Sequence, residues 1–195
     1  MWSMFRRYVL ELSIPLQKLI QKLHPTEATV SYVTVRDLIP KLKTGDILIS
    51  NESWHLSNLL ISGRYNHAAV YDGYRVIEAI ACGVVATDAV DWFMRKNEFA
   101  VLRPAHIEHD QEVNMRIFLW SCLGHPYDLM FGSIEADKSF YCSELAWMAW
   151  ESCSDWTKSF TRKQVLGIDT ILAQDFYDAV ASDKLELIFE FQQQP

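Results

Sequence analysis

Only four cysteines are spread over 195 residues, at positions 82, 122, 142 and 153, and no two of them form a C-x-x-C pair or stand near a histidine at zinc-finger spacing. A structural zinc site is therefore not expected. The cysteine density is also far too low for a disulfide-framed secreted mini-domain. The neutral expectation is reduced thiols in a cytosol-like compartment. No run of 18 apolar residues occurs, so no transmembrane segment is expected. Basic residues are scarce: 18 Lys and Arg stand against 25 Asp and Glu, for a net charge of -7. A nucleic-acid partner needs clustered positive charge, and so does an anionic bilayer, which leaves neither as an expected partner. At the start of the chain, Arg6 and Arg7 precede a short apolar stretch, but Glu11 and Pro15 interrupt it and no small-residue cleavage site follows. The reading is a mature N-terminus without a signal peptide and a cytoplasmic protein.

Half of the residues are hydrophobic, and no repeat, low-complexity tract or long linker divides them. The chain reads as a single α+β domain over 1–195 with an N-terminal helical extension at about 1–24. Phe5, Val9, Leu12, Leu16, Leu19 and Leu23 form one stripe of that extension, fit either for packing on the domain or for an interface. Seven Trp, ten Phe and eight Tyr are enough both to fill a core and to line a pocket. The segments 46–50, 67–71, 74–81, 84–87 and 99–102 read as strands, and 185–191 as a closing strand. Residues 110–123 and 143–153 read as helices. The segment 53–64 exposes apolar groups, either as core or as one wall of a cleft.

Two places carry possible chemistry. Asp72-Gly73 lies between two β-rich runs and is a strong hairpin signal. A turn centred on that pair sets Tyr71 against Tyr74 and, counting outward, His67 against Glu78, with their Cβ atoms about 5 Å apart. A carboxylate there would fix the imidazole tautomer and leave the other ring nitrogen for a nucleophile. A structural contact is the plainer use of such a pair. Cys142 sits at the start of an apolar helix. The free N–H groups and partial positive charge of a helix start lower a thiol pKa and can hold an oxyanion. Cys82, Cys122 and Cys153 lack that placement. Nothing in the spacing brings Cys142 to the hairpin.

The words and their order supply that contact by resemblance. Gly45-Asp46-Ile47-Leu48, Leu56 to Ile61, Asn66-His67-Ala68-Ala69-Val70-Tyr71, Val76-Ile77-Glu78-Ala79, Val101 to Pro104, Leu123-Gly124-His125-Pro126-Tyr127-Asp128 and Phe140-Tyr141-Cys142-Ser143-Glu144-Leu145 together resemble the circularly permuted papain-like amidases of the YiiX type, in the NlpC-like superfamily. The resemblance spans roughly 44–150. It implies a small barrel-like antiparallel sheet packed against the helix that carries the nucleophile. It further implies Cys142 as nucleophile, His67 as base and Glu78 as orienter, with the Cys142 N–H in the oxyanion hole and Tyr141 nearby. Asp46, Tyr127 and Asp128 match as structural positions. The implied activity is hydrolysis of an amide or ester bond through a thiolate acyl-enzyme, on a cell-wall peptide or lipid-linked acyl substrate, with no metal or organic cofactor. Acyl transfer, or a non-catalytic binding module on the same fold, are the alternatives.

Overall fold

Ile47-Leu48-Ile49 has no polar side chain, and a strand of that kind is stable only when both its faces are covered. In the computed structural model, which describes residues 30–51, 63–105, 107–128, 139–151, 160, 163–165 and 168–192, this segment is the central strand β1 (Ile47–Ser50). It pairs antiparallel with β2 (His67–Tyr71) on one side and with β5 (Glu98–Pro104) on the other. Beyond β2 lie β3 (Val76–Ile80) and β4 (Gly83–Thr87), and beyond β5 lies β8 (Leu185–Gln192). The six-stranded sheet runs β4-β3-β2-β1-β5-β8, and a separate hairpin joins β6 (Lys163–Val165) to β7 (Ile168–Thr170).

Alternation along the strands builds two apolar layers. Ile47, Ile49, Ala68, Val70, Ile77 and Ala79 face helices α3 (His109–Ser121) and α4 (Cys142–Glu151), where Met115, Leu119, Leu145, Ala146 and Trp150 fill the layer. Leu48, Ala69, Val76, Phe99 and Val101 face the short helices α1 (Tyr32–Leu38) and α2 (Ala89–Met94), with Val35, Leu38, Trp92 and Phe93. A further helix, α5 (Ala173–Asp178), precedes β8. Neither α1 nor α2 was expected, since both are too short to show a helical period. Their caps are legible: Ser31 Oγ accepts from Thr34 N at 3.1 Å, and Asp88 accepts from Val90 N at 2.9 Å. Asp46 is wholly buried and takes two hydrogen bonds from Arg103, each 2.8 Å, and one from Lys43 N.

The hairpin register needs a correction. Glu78 pairs with Ala69, not with His67. The turn is centred on Gly73-Tyr74, one residue later than expected, and Asp72 N donates to Arg75 O at 2.9 Å. Asp72 is pulled out of the turn centre by its own carboxylate, which accepts from Tyr74 N, Arg75 N and the Trp120 indole. Gly73 then takes the first central position with φ +99°, as in a type II′ turn. Moving the centre by one residue shifts the pairing by two. The period of a strand is also two, so His67 and Glu78 stay on the same face as diagonal neighbours. The expected N-terminal helix, most of the segment 53–64 and Cys153 lie outside the described residues.

Candidate active site

His67 opens β2 and Glu78 sits in the middle of β3, both on the face that carries Trp92. Both side chains are buried, and His67 Nε2 lies 2.9 Å from Glu78 Oε2. That contact occupies one ring nitrogen and leaves Nδ1 to face the other way. The thiol of Cys142, first residue of α4, comes within hydrogen-bonding reach of the same imidazole at the strand end. Its Sγ lies 3.9 Å from the Asn66 carbonyl oxygen and 3.8 Å from Ser143 Oγ. Helix α4 reaches this point because Leu145, Ala146, Ala149 and Trp150 pack against β2 and β3.

The electrostatics couple the three groups. Burial works against the imidazolium of His67, but hydrogen bonds to Cys142 and Glu78, with the charge of Cys142, outweigh it and raise its pKa to about 9. Burial likewise opposes ionisation of the Cys142 thiol. The hydrogen bond and charge of His67, the Ala68 N–H and the Ser143 hydroxyl overcome that cost and hold the thiol below its ordinary value. Burial would also protonate Glu78, yet His67, Lys96 and Thr87 hold its carboxyl far below the usual carboxylate range. The contrast is Cys122, buried without a cation, whose thiol is pushed up to about 11. The shifts act in one direction, favouring a thiolate beside an imidazolium over the neutral thiol and imidazole.

Glu78 has further partners that the sequence did not reveal. Oε2 also accepts from Trp92 Nε1 at 3.0 Å, while Oε1 accepts from Thr87 Oγ1 at 2.8 Å and from Arg95 Nη2 at 3.4 Å. The two tyrosines near the thiol differ in their partners. The Tyr141 hydroxyl is turned toward β7, where Thr170 Oγ1 (2.7 Å) and Ile171 N (3.1 Å) donate to it, and Tyr141 N donates to Glu144 Oε2. Tyr127 instead hydrogen-bonds Cys142; burial first, then the thiolate and Asp128, holds its phenol well above the ordinary value. It is fixed by a bridge to Phe140 and by the Asp128 N–H bond to Phe140 O. Tyr127 lies in a loop, with no periodicity that would show from the sequence where its hydroxyl points.

The family model described as a permuted papain-like amidase enzyme, YaeF/YiiX, C92 family, matches residues 41–188. A crystal structure described as that of the metalloprotein YiiX from Escherichia coli O157:H7 is 21% identical, with a TM-score of 0.59, over 77% of this chain and 98% of that one. At that identity the likeness speaks for the fold. No curated protein matches the chain. Among the described residues no group of three or more His, Cys, Asp or Glu stands close enough to hold a metal ion, and no helix is long and apolar enough to cross a membrane.

Proposed function

Because the chain belongs to the permuted papain-like amidases of the YaeF/YiiX family, we propose that it is a cysteine hydrolase whose nucleophile is Cys142, whose base and acid is His67 and whose orienting carboxylate is Glu78. The observation that carries this is one imidazole shared between a buried carboxylate at 2.9 Å and a thiol at the start of a helix. His67 and Glu78 precede Cys142 in the chain, the order of the permuted branch.

The geometry supports the following sequence of events. Proton transfer from Cys142 to His67 gives a thiolate beside an imidazolium that Glu78 stabilises. The thiolate attacks the amide carbonyl carbon, and the carbonyl π electrons move to oxygen. The N–H of Cys142 at the helix start and the Tyr127 hydroxyl are the donors we assign to that oxyanion. Collapse breaks the carbon–nitrogen bond, His67 gives its proton to the departing amine, and an S-acyl enzyme remains. Water then enters, loses a proton to His67 and attacks the acyl carbon. The second collapse releases the carboxylic acid and the thiolate. We assign the substrate to the class of cell-wall peptides or lipid-linked acyl amides.

The test follows alkylation of the cysteines by iodoacetamide from pH 4 to 9, read by mass spectrometry, together with hydrolysis of acyl-amide and wall-peptide substrates. Fast, selective labelling of Cys142 with an acid inflection that His67→Ala removes is the expected result. Equal rates for Cys142 and Cys122 would reject the activated pair, and amide hydrolysis retained by Cys142→Ala would reject the nucleophile.

A further inference from the structure

Glu78 is over-supplied with donors for a residue that only has to orient an imidazole. The oxygen that faces His67 also accepts from the Trp92 indole at 3.0 Å. Lys96 Nζ sits 4.6 Å from the centre of the Trp92 ring, and Lys96 is itself buried. A buried ammonium is costly, and its placement on an aromatic face recovers part of that cost. A cation on one face of the indole makes its N–H a better donor, and the N–H points at the carboxylate.

We propose that Lys96 and Trp92 form a positioning relay that weakens the hold of Glu78 on the proton of His67. A bare, buried carboxylate beside an imidazole would bind its proton too tightly for the imidazolium to serve as the acid that protonates the leaving amine. Draining charge from Glu78 through the indole N–H, and opposing the imidazolium with a nearby cation, keeps that proton transferable. Neither residue touches the reacting atoms. The charged and titratable groups around His67 are Glu78 on β3, Cys142 on α4 with Tyr127 and Tyr141 beyond it, Lys96 after α2, and Arg95 on the far oxygen of Glu78. Of these, Lys96 and Arg95 are the cations, and Arg95 is half exposed while Lys96 is not. The inference rests on the reading of Cys142 and His67 given above.

The test is a pH titration of the histidine ring nitrogens by NMR on full-length protein labelled at histidine, with His67 assigned by its loss in His67→Ala. In wild type the His67 midpoint is expected near 9. In Lys96→Met it moves up by roughly half a pH unit or more, the size expected for removing one cation several ångströms away in a partly screened interior. Lys96→Arg restores the wild-type midpoint. Trp92→Phe keeps the ring, deletes the N–H and moves the midpoint in the same direction, which carries the test if Lys96→Met does not fold. Residues that serve packing alone would leave the midpoint in place. A midpoint that falls in Cys142→Ala but ignores both Lys96→Met and Trp92→Phe would overturn this inference alone. A midpoint identical in wild type and Cys142→Ala would overturn the thiolate–imidazolium reading and this inference with it.

Discussion

Glu78 Oε2 lies 2.9 Å from His67 Nε2 although the two residues are diagonal rather than directly opposed across β2 and β3. The diagonal offset leaves room for Trp92 on the same oxygen and Thr87 on the other. Each lone pair of the carboxylate that matters is thereby satisfied in a buried setting, which is what permits a charge there at all.

Glu78→Gln keeps this shape and removes the charge. The His67 midpoint then falls from about 9 toward its ordinary 6.5, and the acid inflection of Cys142 labelling moves up. Stability changes with a defined sign. Glu78 is depressed below its ordinary 4.5, so its contribution is present above pH 4.5 and is lost as pH falls through the lower folded value. His67 is raised, so its contribution is full below 6.5 and is lost as pH rises through about 9. Cys142 is depressed from 9 and runs the opposite way. Below pH 9 the two slopes therefore have opposite signs and offset one another. Urea denaturation therefore shows wild type more stable than Glu78→Gln by about 2 kcal/mol at pH 7, with the gap closing under acid. A gap independent of pH would contradict the ionised carboxylate.

Thiol chemistry separates the cysteines. Cys142 labels with iodoacetamide about tenfold or more faster than Cys122 near pH 6, because a thiolate reacts and a thiol does not. Cys122 is held near 11. His67→Ala abolishes the difference while the circular dichroism spectrum stays that of wild type.

Tyr127→Phe separates oxyanion stabilisation from thiol activation. If its hydroxyl holds the tetrahedral oxygen, kcat on an amide substrate falls by about 10²-fold with little change in KM. Selective labelling of Cys142 persists, since His67 and Glu78 are untouched. A fall in labelling equal to the fall in kcat would mean that the phenol serves the thiol instead.

How much of this was legible in the sequence depends on the range of each interaction. Strands β2 to β4 were legible as apolar, β-rich runs punctuated by Gly73 and Gly83, and β8 by its alternation. The His67–Glu78 pairing survived a register error because the error was an even number of residues. Cys142 was legible as a residue at the start of the apolar helix from Ser143 onward. The meeting of Cys142 with His67 is a contact between residues 75 positions apart, and only resemblance to a family supplied it. Trp92 and Lys96 left no trace, because α2 is six residues long and its seat beside β3 is fixed by packing in the second apolar layer. Tyr127 left only the ambiguous Pro126-Tyr127-Asp128 word.

Gly45 joins the fold to the site. Its φ is +89°, and a Cβ built there would lie 2.3 Å from the Trp150 ring of α4. Gly45→Ala therefore meets two penalties, a left-handed backbone that an L side chain resists and a clash inside a packed layer. Together they amount to about 2–4 kcal/mol, read as a lower urea midpoint with an unchanged slope. Relief of the clash comes from moving α4 away from the sheet, and Cys142 is at the head of that helix. The labelling advantage of Cys142 over Cys122 should therefore shrink in Gly45→Ala under conditions where the protein is still folded. Trp150→Leu in the same chain restores space but not the backbone preference. It is expected to recover the labelling advantage more fully than the stability. Recovery of both in equal measure would place the whole penalty in the clash, and recovery of neither would show that α4 does not carry the strain to the thiol.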